Sequence, residues 1–189
     1  MHSKLDQLLA FHCAPTLSGL KPANLITHDV TESFYSSPNM IMTLNQLGIH
    51  IERICSCASR ELTLVYSESR LWEHLKRPQI WGFLVSQGYP MYDDLPTVLD
   101  ALKVRVAKSG GFPHEIGVFL GYPLEDVMGF IRNKGQNCKM CGYWKVYGDT
   151  DSAMKQFDQF TECRDLMIDK LVQGVSITQL LSNSQEVYI

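Results

Sequence analysis

No stretch of this 189-residue chain approaches the roughly 18 consecutive apolar residues of a membrane span. The N-terminal run Leu5–Phe11 is interrupted by Asp6 and Gln7, which makes it a poor secretory signal core. Excess positive charge is also missing: 17 Lys and Arg stand against 20 Asp and Glu, so no overall field draws nucleic acid or anionic lipid. The GxxxxGK[ST] order of a P-loop occurs nowhere, and there is no internal repeat, low-complexity tract or linker. With 45% hydrophobic and 20% charged residues, intrinsic disorder is excluded. These absences leave a folded protein, expected to be cytoplasmic, without a membrane partner. At roughly 150 residues per domain it is expected to form a single domain over 1–189, with a loose tail at 184–189.

What is present reads as α+β and helix-rich, with a small sheet of three or four strands. Leu5, Leu8 and Leu9 share one face of a first helix, which Cys13-Ala14-Pro15 is expected to stop. Pro22 keeps the following extended segment at a sheet edge. A short helix over 40–47 ends at Gly48, and Ile49–Cys57 and Leu62–Tyr66 read as two strands of a hairpin. Helices are expected up to Lys76, from Pro78, and from Asp93 or Asp94, the last with an apolar stripe at Leu95, Val98, Leu99, Leu102 and Val106. Tyr143–Tyr147 reads as a strand, and Asp149 or Asp151 as the cap of a long helix over 152–172.

The segment from 112 to 147 concentrates the unusual residues. Ile116, Gly117, Leu120, Gly121, Val127 and Phe130 fall at the spacing of a helix-turn-helix-like hairpin. Its second helix opens with Glu125 and Asp126 where a DNA reader would offer donors, so nucleic acid is not an expected partner. His114 and Glu115 open the first helix. An acid there suits the helix dipole, and a histidine is a candidate general base or ligand, although no second His follows at Val118 to make a zinc-protease signature. On the strand, Trp144 and Val146 are expected to face the core, which places Tyr143, Lys145 and Tyr147 on the other face. An ammonium between two aromatic rings is either a cation–π surface feature or an anion-binding group. The polar loop with Asn133 and Lys134 is expected to close over the same pocket.

The six cysteines include Cys138 and Cys141, whose CxxC spacing serves zinc and dithiol redox sites alike. One CxxC gives two ligands, and Cys55 and Cys57 are the candidates to complete four. Cys163, within the long helix, reads as a packing thiol. Cys13 is either packing or, paired with His114, an activated nucleophile.

The run FPHEIGVFLGYPLEDVMGFI, the later GYWKVYGD, and Cys13 ahead of Leu20-Lys21-Pro22 resemble a family of anaerobic, clostridia-type bacteria catalogued as a domain of unknown function. The resemblance covers nearly the whole chain and implies redox work with a flavodoxin-type electron donor. Taken together, the residues point to a small enzyme or redox protein acting on a small molecule or cofactor. Cys13, His114 and Glu115 are its candidate catalytic groups, and Lys21, Asn133, Lys134, Tyr143, Lys145 and Tyr147 its candidate binding groups. Two alternatives stay open: a metal- or haem-binding module using Cys and His ligands, with Cys138 and Cys141 as the metal candidates, and a regulatory protein built on the helical hairpin.

Overall fold

Ser3 opens the first helix with a reciprocal cap. Its hydroxyl oxygen accepts the Asp6 N–H at 3.0 Å, and the Asp6 carboxylate accepts the Ser3 N–H at 3.3 Å. The computed structural model describes residues 3–32, 34, 37–90, 94–108 and 112–185. In chain order the helices are α1 (Lys4–Leu17), α2 (Pro38–Gln46), α3 (Glu68–Leu75), α4 (Pro78–Ser86), α5 (Leu95–Ala107), α6 (Ile116–Phe119), α7 (Leu124–Arg132), α8 (Thr150–Val172) and α9 (Ile177–Gln185). The strands are β1 (Ala23–Asp29), β2 (Ile49–Ser56), β3 (Arg60–Ser67), β4 (Met140–Cys141) and β5 (Lys145–Val146). The architecture is α+β and predominantly helical, as the sequence predicts. Residues 1–69 with 160–189 make one compact unit, and residues 70–159 make another.

In the first unit, β3 lies between β1 and β2 in an antiparallel sheet of order β1-β3-β2, so the Pro22 segment does lead into an edge strand. A bulge between Arg53 and Cys55 interrupts the alternation of faces along β2. The core joins Leu5, Leu9 and Cys13 of α1 to Ile26, Ile51 and Val65 of the sheet and Ile177 of α9. The expectation that Cys13-Ala14-Pro15 ends α1 is corrected: the helix continues through Pro15 to Leu17. Cys13 and Ala14 have no exposed surface, and burying that turn outweighs the one hydrogen bond that proline removes. The turn closes through the Ser18 N–H on Ala14 O at 2.9 Å and the Leu20 N–H on Pro15 O at 2.8 Å. A polar chain crosses the same sheet face, with His28 Nε2 2.9 Å from Thr63 Oγ1 and Arg53 3.0 Å from Glu61. The tail expected at 184–189 is helical as far as Gln185, and its remainder lies outside the described residues.

In the second unit, Asp94 caps α5 by accepting the Thr97 N–H at 2.8 Å, and Leu95, Val98, Leu99 and Leu102 are buried as their spacing requires. The Ser109–Gly111 stop expected after it lies outside the described residues. Helices α6 and α7 form the anticipated hairpin. Gly121 turns the chain at φ +75°, and a Cβ on Gly117 would press on Val127 and Tyr122. The strand expected at 143–147 shrinks to β5 and pairs with β4 in a separate two-stranded ladder rather than joining the sheet. Asp149 accepts the N–H groups of Asp151 (3.0 Å) and Ser152 (3.1 Å) at the start of α8.

Gly129 lets α7 lie directly on Tyr147, because an added Cβ would meet the Cβ and Cγ of that residue at 2.5 Å. Alanine gains roughly 1 kcal/mol of helix propensity there, but overpacking against atoms close to a fixed backbone costs about 1–3 kcal/mol. Gly129→Ala is therefore expected to lower the urea midpoint of unfolding. A raised midpoint would contradict this packing.

Candidate functional site

The site is built on one carboxylate. Asp126, in the first turn of α7, is 3% exposed. Its Oδ2 accepts the Trp144 indole N–H at 2.7 Å, and its Oδ1 accepts the backbone N–H groups of Tyr147 at 2.7 Å and Gly148 at 2.8 Å. These charge-assisted bonds clamp α7 to the β4–β5 ladder and fix the plane of the indole. Trp144 then stacks on Tyr122, with centroids 5.0 Å apart, and meets Phe157 edge-on at 4.5 Å.

In front of this frame lies a cleft of about 320 Å³ walled by Phe112, Leu120, Tyr122, Phe130 and Trp144. His114, Cys141 and Lys145 line it as well. The Lys145 ammonium donates to Gly135 O at 2.8 Å and lies 5.9 Å from the Phe130 ring centre. The His114 ring packs on the same Phe130 at 4.9 Å. Among the described residues, Lys145 has no carboxylate partner and the His114 ring nitrogens have no hydrogen-bond partner.

The structure thus brings together His114, Lys145 and Cys141, three of the residues singled out from sequence. The others lie elsewhere. Glu115 is buried away from the cleft, bonded to Arg105 Nε at 2.6 Å and approached by the Tyr89 hydroxyl at 3.5 Å. Burial, and then the Glu115 charge, pushes the Tyr89 phenol up. Asn133 donates to Gly129 O at 2.8 Å and closes the end of α7, while Lys134 is exposed with φ +50°. Tyr147 donates to Gln136 O at 3.0 Å, and Tyr143 packs on Phe157. The expected placement of the Lys145 ammonium between Tyr143 and Tyr147 is corrected: the ring it lies over is Phe130.

Cys141 is exposed at the cleft, whereas Cys138 does not line it. Cys138 precedes β4 and Cys141 lies within it, and the Lys139 N–H between them bonds Val146 O at 2.8 Å. Cys55 and Cys57 belong to the first unit and Cys138 and Cys141 to the second. Among the described residues no group of three or more His, Cys, Asp or Glu side chains could hold a metal ion, and the cysteines are unlinked.

Cys13 and Lys21 belong to the first unit, His114 to the second. Cys13 is fully buried, which pushes its thiol well up. Burial brings the Lys21 ammonium down to about 8, with the Cys13 charge opposing, and the Phe160 ring lies 5.8 Å away. Sequence reasoning missed Asp126 as the organising group, along with Arg105 and Tyr89. Asp126 carried a sequence signal only as a first-turn acid, and its partners lie 18 to 22 residues on, beyond any local period.

The chain belongs to the family described as protein of unknown function DUF3793, whose model matches residues 9–181. No curated protein and no solved structure matches it. No helix among the described residues is long and apolar enough to cross a membrane.

The buried Lys21 gives a pH signature. Its ammonium loses its proton near pH 8 in the folded chain and at its ordinary 10.5 in the unfolded one. Between those values the unfolded chain binds more protons, so stability rises with pH. The Cys13 thiol acts in the opposite sense, but only above its ordinary 9.0. Urea unfolding should therefore show a gain of about 1 kcal/mol from pH 7 to pH 9 that is absent in Lys21→Met. The same gain in both proteins would contradict the assignment.

Proposed function

We propose that the protein is a small cytoplasmic enzyme acting on a small molecule held in the cleft of its second unit. In this reading His114 transfers a proton to or from the ligand, Lys145 anchors an anionic group on it, and Cys141 supplies a thiol at the rim. One observation carries the proposal. A cleft walled by aromatic rings is lined by an imidazole and an ammonium that lack side-chain polar partners among the described residues, while its carboxylate is engaged by three N–H donors. Apolar walls with a few convergent polar groups are the usual make-up of a small-molecule site.

The cleft contributes proton transfer and electrostatic anchoring to such a reaction. A positioned imidazole is worth roughly 10²–10⁴-fold in rate. An ammonium beside an aromatic ring and partly withdrawn from water attracts an anion more strongly than one in bulk solvent. A redox form of the reading, served by a flavodoxin-type donor, has its support in the family resemblance rather than in the cleft, where Cys141 is the one thiol among the described lining residues. The metal- or haem-module alternative gains no support from the described residues, and Glu125 and Asp126 give a nucleic-acid partner none.

The test is to incubate the purified chain with a mixed extract of polar metabolites and follow depletion by mass spectrometry. At least one compound should be consumed, and His114→Ala, with an unchanged melting temperature, should slow its loss by about 10²-fold or more. Depletion at the same rate in His114→Ala, or no depletion by the parent protein, would overturn the proposal.

A further inference from the structure

The charge, walls and size of the cleft together narrow its ligand, an inference that rests on the site proposed above. The first constraint is the sign of the charge. Asp126 borders the cleft, but its two oxygens take three N–H donors, so its charge is committed to the frame. Lys145 spends one N–H on Gly135 O and has no carboxylate partner among the described residues. Two ammonium N–H groups therefore remain for a ligand, and the unpaired cation favours an anion.

The second constraint is the wall. Phe130, Trp144, Tyr122 and Phe112 present ring surface, and the stacked Tyr122–Trp144 pair is held by the Asp126 bond to the indole. Rings of this kind pair best with another planar π system. The third constraint is volume. A space of about 320 Å³ is at the low end of the roughly 300–1,000 Å³ typical of small-molecule pockets. One ring or two fused rings fill it, whereas a flavin nucleotide or a haem is too large to be enclosed.

The fourth constraint separates kinds of anion. A phosphate group is usually met by several donors at once, from a glycine-rich loop, a helix N-terminus or a forked arginine. No arginine is among the described residues that line this cleft, and α7, which borders it, opens with two acids. A single ammonium is a point charge, and its one positive charge matches the one negative charge of a carboxylate. We infer that the cleft binds an aromatic carboxylate of one or two rings, with its ring against Phe130 and the Tyr122–Trp144 pair and its carboxylate on Lys145 Nζ.

Isothermal titration of the full chain with benzoate, indole-3-carboxylate and 2-naphthoate, against indole and indoxyl phosphate, tests this. At least one acid should bind tenfold or more tighter than both indole and the phosphate ester, and should shift the NMR signal of the Trp144 indole N–H. Lys145→Met, matched to the parent in melting temperature, should bring that acid down to the affinity of indole and leave indole unchanged. Lys145→Arg should restore most of the difference. Indole binding as tightly as the acids, the phosphate ester binding more tightly, or no acid binding would each overturn the inference. The two proposals fail separately. Acid binding without turnover of any metabolite removes the enzyme reading alone. His114-dependent turnover of a metabolite that is not an aromatic acid, with all three acids silent, removes the ligand class alone.

Discussion

The carboxylate of Asp126 is the interaction on which the second unit depends. A buried charge is costly unless it is fully hydrogen-bonded, and here three N–H donors within 2.8 Å satisfy it. Its place in the first turn of α7 adds the favourable end of the helix dipole. From that point the geometry follows. The Trp144 indole is stacked against Tyr122, the chain at Tyr147 and Gly148 leads on to α8, and Lys145 is carried over the Phe130 ring. Gly129 lacks a side chain where this arrangement leaves no room, since a Cβ there would strike the Cβ and Cγ of Tyr147.

The loop between α7 and β4 is shaped by the same set of contacts. Lys145 bonds Gly135 O, Tyr147 bonds Gln136 O, and Lys139 bonds Gly148 O. Two of these side chains were expected to hold a ligand directly. Tyr147 instead holds the loop, and Lys145 does so while still facing the cleft. Glu115 has a comparable framing part at its contact with Arg105, joining α5 to the start of α6. Within the first unit, Lys21, His28, Glu61 and Thr63 are buried among the sheet and helices, and the cleft residues are all in the second.

Local chemistry made much of the fold legible. The Asp94 and Asp149 caps, the glycine after α2, the β2–β3 hairpin and the packed pair around Gly117 and Gly121 all follow from interactions within a few residues. Two readings failed. Pro15 reads as a stop, yet burial of the turn around it carries α1 two residues further. Tyr143–Tyr147 reads as a strand, yet only Lys145–Val146 pairs, and its partner is the adjacent Met140–Cys141. At the site, His114 and Lys145 were legible by residue type and density. Their meeting through Phe130 was not, because it depends on how α7 and the ladder pack. Asp126 was legible only as an acid of the wrong sign for DNA, since its partners are set by tertiary structure.

Hydrogen exchange followed by NMR reads the hold of Asp126 on this frame proton by proton. If Asp126 holds the frame, the Trp144 indole N–H and the Tyr147 and Gly148 amides should be strongly protected in the parent protein. All three should then lose protection together, by roughly 10- to 100-fold, in Asp126→Ala. Protection of these three protons that is unchanged in the variant would contradict the account, because the cleft would then be held by something other than this carboxylate.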